Sequence, residues 1–230
     1  GAVDAYAFGR AGRQTGASLG LALAWVASDD TELHASARWL QRHEGWQLGG
    51  SAWGADGRPT AISAENPWSR ERQAGGQQWL LGGTWTGQQQ QSLLFEAWHD
   101  GTAPLDAQWR TWQDRNAGLA QKSLKPALPP AAQAGLAGNL AWQTSPLAAA
   151  SLRRDNLFLR LAWQPEPWQL SLDALFQPAD RGHSLTAALQ WQGDLWRMNL
   201  SLRQNGGPGR AVLAQVPTGQ TALLSATRAF

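Results

Sequence analysis

Apolar and polar residues alternate along most of this chain. Leu19, Leu21, Leu23 and Trp25 are spaced by Gly20, Ala22 and Ala24, and Leu33, Ala35, Ala37 and Trp39 by His34, Ser36 and Arg38. The same period runs through Trp79–Trp85, Leu157–Trp163, Trp168–Phe176, Leu185–Trp191 and Trp196–Leu202. A period of two puts one class of side chain on each face of a β-strand. The pattern predicts eleven strands, at 3–12, 17–28, 31–43, 45–54, 76–87, 91–100, 153–165, 167–177, 183–193, 195–204 and 220–230. Tight turns are expected at His43–Gly45, Gly87–Gln90, Gln164–Pro167 and Gln192–Asp194, with long polar connections at 55–75, 101–152, 178–182 and 205–219. Asp29–Asp30 then stands as a short turn on the long-connection side. The longest insert carries one helical stretch, Leu105 to Gln121, with Trp109 and Trp112 on one face, ended by the Lys125–Pro130 tract.

Alternation alone fits a soluble sandwich as well as a membrane barrel. The tryptophans discriminate, and the chain has 15 of them against 1 Tyr and 5 Phe. Trp39 and Trp46 flank one expected turn, Trp163 and Trp168 a second, Trp191 and Trp196 a third, and Trp85 precedes the fourth. Seven indoles on the apolar face beside turns make a girdle at one height, where an apolar ring with a polar N–H meets a lipid–water boundary. Trp25, Trp79 and Phe176 are the candidates for a second girdle at the opposite ends.

Composition narrows the classes further. There is no cysteine, so neither disulfides nor thiolate metal sites are expected, and no motif calls for a metal or a cofactor. The formal charge of +2 argues against nucleic acid as a partner. No apolar run approaches the ~20 residues of a membrane helix. No signal peptide is visible and the chain starts at Gly1 without Met, a start that mature processing or excision from a longer precursor would both give; a C-terminal part of a longer precursor is the expectation. Residues 1–230 are read as one barrel domain, with 101–152 as a long external loop holding a short helix.

The last expected strand reads Ala222-Leu223-Leu224-Ser225-Ala226-Thr227-Arg228-Ala229-Phe230. Here the chain resembles bacterial outer-membrane β-barrel (porin-like) proteins, whose final strand ends in a C-terminal Phe. The resemblance implies an all-β, antiparallel up-and-down transmembrane barrel in the bacterial outer membrane, with short periplasmic turns and long external loops. It also implies a surround of outer-membrane lipid and lipopolysaccharide, and a barrel-assembly machinery that reads Phe230 as its signal. Such barrels have even strand counts because both chain ends lie in the periplasm. Eleven is odd, so a twelfth strand is expected: before those read, in a larger barrel cut at Gly1, or hidden in Gly135–Gln143.

Six polar-face charges are the candidate constriction: Arg38, Glu96, Arg160, Asp173, Arg197 and Arg203, with Arg10 adding to them. Arg38, Glu96 and Arg160 count about five residues from their expected turns, and Glu96 should face Arg160 directly. Arginine rings select anions by their field, whereas a self-paired network fills a narrow lumen. His34, His99 and His183 are expected at external strand ends, where His34, Ser36, His99 and Asp100 are the residues a rim hydrolase would use. The leading reading is an outer-membrane channel for small polar solutes, with a bias to anions. The alternatives are a closed structural barrel that binds a protein through its long loop or a preceding region, and a hydrolase at the external rim. A soluble antiparallel β-protein is the non-membrane reading.

Overall fold

The alternation does become strands. The computed structural model describes residues 1–124 and 128–229. Lys125, where the helix-breaking tract was expected to begin, and Phe230, the assembly-signal residue, lie outside the described residues. Ten strands form one antiparallel sheet in which each pairs with its sequence neighbour. They are β1 (Val3–Gly12), β2 (Gly16–Ser28), β3 (Thr31–Leu48), β4 (Trp68–Thr86), β5 (Gln91–Asp100), β6 (Asp155–Trp163), β7 (Trp168–Gln177), β8 (Gly182–Gln192), β9 (Trp196–Gly206) and β10 (Gln220–Arg228). The order β1 to β10 is linear, and every residue of the two edge strands is exposed.

The count corrects the expected eleven. No turn forms at His43–Gly45, and no separate strand occupies 45–54; β3 runs straight through to Leu48. Gly45 is not among the positive-φ glycines, so it does not act as a turn residue. It is small because Gln73 lies over it: a Cβ there would sit 2.3 Å from Gln73 Nε2. Beside it, Arg70 Nη2 pairs with Glu44 Oε2 at 3.4 Å, so Glu44 faces an extension of β4. That extension starts at Trp68 rather than 76, and accommodates the left-handed φ of +70° at Gly75. The candidate hidden strand, Gly135–Gln143, is helical.

Removing one strand restores the parity. The connections 29–30, 87–90, 164–167 and 193–195 fall at one end of the sheet, where Asp29–Asp30 moves from the long-connection side, and the other end carries the equally short 13–15 and 178–181 beside the long ones. β1 starts and β10 finishes at the first of these ends, so the odd-count argument for a further strand no longer applies.

The chain divides into two compact units. The first comprises 1–41, 77–101 and 155–230, and holds most of the sheet. The second comprises 42–76 and 102–154, and includes helices α1 (Asp106–Ser123) and α2 (Pro130–Trp142). Gln108 accepts the Leu105 N–H at 2.6 Å to close the start of α1, Asp106 and Lys122 complement its dipole, and Pro130 opens α2. Trp109, Trp112, Arg115 and Leu119 form one buried stripe of α1, as the spacing of the two tryptophans predicts. The indoles of Trp109 and Trp112 meet edge-on at 5.4 Å and donate to Leu152 O and Gln143 O. Arg115 is 1% exposed and donates to Thr60 O, Ser63 Oγ, Asn139 Oδ1 and Gln143 Oε1, all uncharged. Burial pushes its guanidinium below the ordinary arginine value.

Candidate functional site: the two faces of the sheet

Strand register sorts the side chains of the first unit into two faces. Pairs such as Leu21↔Ala37, Leu159↔Ala174, Leu172↔Ala187 and Leu189↔Leu200 build one apolar face across successive strands. This face is the exposed one: Leu19, Leu81, Leu161, Leu172, Met198 and Leu202 are all open to solvent. Within the sheet the buried side chains are polar, Ser18, Asp100, Asn156 and Gln177, while the buried apolar residues of this unit, Ala211, Val212 and Leu213, lie in the β9–β10 connection. The usual arrangement of a water-soluble domain is therefore inverted.

Trp85, Trp163, Trp168, Trp191 and Trp196 lie on the apolar face beside the short turns, as expected, and Trp25 joins them. Of these six, all but Trp191 are 41–46% exposed. Two of the indole N–H groups reach into the turns: Trp85 Nε1 donates to Asp30 Oδ2 at 3.3 Å, and Trp163 Nε1 to Gln89 O at 3.2 Å. Each such ring keeps its carbon body on the apolar face and its dipole toward the turn, the posture of an interfacial tryptophan. Asp30 also accepts from Ser28 Oγ at 2.5 Å and Thr31 Oγ1 at 3.1 Å, and these bonds, led by Ser28, hold its carboxyl below the usual carboxylate range. Trp39 and Trp46 leave the expected ring because the turn they were to flank does not exist. Trp39 opposes Leu19, toward the long connections, and Trp46 lies on the far part of β3. Trp79 and Phe176 do occupy the long-connection end, while Trp25 moves from that group to the other.

The polar face does not place its charges at one height. Arg160 meets Asp173 as a fork, with Nε–Oδ1 and Nη2–Oδ2 both 2.7 Å, and its guanidinium stands 5.7 Å from the Phe158 ring centre. Asp173 is opposite Thr186, which is opposite Arg203, and Arg203 Nε donates to Thr186 Oγ1 at 3.2 Å. Arg160, Asp173 and Arg203 thus share one row across β6 to β9. Glu96 does not face Arg160: it opposes Phe158, two pairs further from the tight turns than Leu94↔Arg160. Its partner is His34, whose Nε2 lies 3.2 Å from Glu96 Oε1. The two reach each other across β4 because Gly82 lies between them; a Cβ there would fall 2.3 Å from His34 Nε2. Arg38, opposite Gly20, lies nearer the long connections, where Nη2 donates to Ser18 Oγ at 3.4 Å. Arg197 lies at the tight-turn end and donates to Gln192 Oε1 at 3.0 Å. Arg10 opposes Ser18.

The four rim residues do not assemble. His34 and Ser36 lie toward the tight turns, not at the external end expected for His34, because β3 begins at Thr31. His99 and Asp100 point to opposite faces. His99 is on the apolar face, stacked on Trp79 at 5.8 Å, with Nδ1 2.7 Å from Asp155 Oδ1. Asp100 is on the polar face, accepting from Gln78 Nε2 at 3.0 Å. His183 is also on the apolar face, over Gly206. Neither the His34–Glu96 nor the His99–Asp155 pair was legible beforehand, since separations of 62 and 56 residues carry no local signal.

No protein-family model matches the chain, and no curated protein matches it. The class its architecture defines is an all-β protein built on a ten-stranded antiparallel up-and-down sheet with an exposed apolar face. Among the described residues, no helix is long and apolar enough to cross a membrane, which bears only on helical spans.

Proposed function

We propose that the chain is a bacterial outer-membrane β-barrel, closed by pairing β1 with β10, that passes small polar solutes through a hydrated lumen. The observation that carries this reading is the sidedness of the sheet: leucines and tryptophans half-exposed on one face, ion pairs and amides on the other. Hydrocarbon is the surrounding that makes such an apolar face favourable. β1 and β10 run in opposite directions and carry the remaining free edges, which a membrane interior does not tolerate. Their closure places Val3, Ala5 and Ala7 beside Ala222, Leu224 and Ala226 on the lipid side. The resemblance at the C-terminus supports the outer membrane as the location and the barrel-assembly machinery as a partner.

Transport rests on the polar face. The polar side chains of Arg10, Arg160, Gln169, Arg197 and Arg203 on this face are exposed. A dry, filled interior leaves such groups at a cost, whereas water satisfies them. Five arginines (Arg10, Arg38, Arg160, Arg197, Arg203) meet five acids (Asp4, Glu32, Glu96, Asp100, Asp173) on this face, a formal sum of zero with His34 neutral. Size and hydrogen bonding, rather than charge sign, then select the solute. Ten strands stand slightly above the eight at which side chains fill a barrel, so the solute is small. Purified protein should stay dispersed only with detergent and should give discrete conductance steps in planar bilayers with little preference between potassium and chloride. Full solubility without detergent removes the membrane reading, and a silent bilayer removes transport.

A further inference from the structure

The tight-turn end carries a hollow of about 380 Å³ whose walls are mostly carboxamides: Gln90, Gln164, Gln169, Gln190 and Gln192, with Trp168 at the side. Three separate elements deliver them. Register sets Gln169 opposite Gln190, with Gln192 two residues on along β8. The β6–β7 turn supplies Gln164. The β4–β5 turn supplies Gln90 in a left-handed conformation of φ 62°, and the Gln164 N–H donates to its carbonyl at 3.2 Å, tying the two turns together.

These amides keep spare hydrogen-bonding capacity. Gln190 Nε2 donates to Gln169 Oε1 at 3.4 Å, which uses one donor and one acceptor of the pair and leaves the others free to face the hollow. The one charged side chain in the lining is Glu166, and Arg197 reaches the same wall by donating to Gln192 Oε1 at 3.0 Å, so neither sign of charge prevails. What the site offers is neutral groups that both donate and accept. The volume lies in the range of small-molecule pockets. A ligand that answers these features is an uncharged polyhydroxyl ring, whose hydroxyls donate and accept in turn. A peptide answers them less well, because extended peptides bind by adding to a free strand edge and the hollow is walled by paired strands and turns.

We propose that this glutamine-lined hollow is a binding site for an uncharged sugar, and that it names the solute class of the channel proposed above. It rests on the polar face meeting water at the tight-turn end, and conduction is a separate question. The test is calorimetric titration of the detergent-solubilised protein with maltotriose, and with triglycine as the peptide comparison. Saturable maltotriose binding is expected in the millimolar range, weakened about tenfold in the Gln169→Ala/Gln190→Ala double variant, on the scale of a lost pair of neutral hydrogen bonds. Gln164→Ala, which leaves the β7–β8 pair intact, should weaken it too, and this guards against misfolding of the double variant. No saturable maltotriose binding overturns the site, as does binding unchanged in both variants; tighter triglycine binding overturns the sugar class. Bilayer recordings separate this from the parent reading. Conductance without maltotriose binding keeps the channel and removes the site, and binding without conductance does the reverse.

Discussion

Arg115 shows how a single side chain can organise a unit. It is a buried cation held by four uncharged acceptors, with Thr60 O depending on it most, since Asn139 Oδ1 and Gln143 Oε1 also accept from Ser63 N and Trp68 Nε1. Arg115→Met should destabilise the second unit by about 1–3 kcal/mol, the cost of a stranded buried acceptor, read as a shift in denaturant midpoint by near-ultraviolet tryptophan dichroism. Asp30 works at the opposite extreme, exposed and in a turn. Its folded pKa is lowered, so its contribution to stability is present above the usual carboxylate range and is lost as pH falls through the lowered value. Asp30→Asn should therefore lower the thermal midpoint at neutral pH, and the gap from the parent protein should close on acidification. A gap that persists in acid would show that the charge is not what matters. At this scale the sequence was informative about residue type and face, and uninformative about partners. Arg160 and Asp173 were both placed on the polar face, but only register joined them.

Among the elements, the β3–β4 hairpin is where reading the chain failed and where the reason is clearest. His43-Glu44-Gly45 has turn composition, and a period-two pattern cannot distinguish a strand that turns from one that continues. Glu44–Arg70 and Gln73 over Gly45 decide for continuation, through contacts 26 and 28 residues away in sequence. The same strand pair carries His34 past Gly82 to Glu96. Gly82→Val should cost about 1–3 kcal/mol by overpacking, since its Cβ would also stand 2.9 Å from the Phe95 carbonyl oxygen. His34→Ala, which removes the ring instead of colliding with it, should cost less. Equal losses in the two variants, measured by thermal unfolding in detergent, would mean that crowding at Gly82 is not the constraint. The helix at α1 was legible because its stripe of Trp109, Trp112, Arg115 and Leu119 lies within one segment. α2 was not, because its alanine- and glycine-rich sequence has no clear apolar stripe and was equally open to a strand.

For the molecule as a whole, the decisive prediction is closure. Cysteines introduced in pairs on the apolar positions of the two edge strands, Ala5→Cys with Ala222→Cys, Leu224→Cys or Ala226→Cys in turn, should cross-link within one chain for one pairing on oxidation in lipid vesicles. Failure of all three pairings, or cross-links only between chains, argues against a ten-stranded barrel. Alternation and the siting of tryptophans were enough by themselves to determine strands, their two faces and which face is apolar, because these follow from backbone geometry and side-chain chemistry within a few neighbouring residues. Of the seven indoles expected beside turns, five lie next to the short turns of the sheet. Strand number, the shared end of both chain termini, the heights of the charges and the convergence of five glutamines were decided only by tertiary structure. Each depends on which residue of one strand lies beside which residue of another, and hydrogen-bonded register sets that between segments the chain itself keeps far apart.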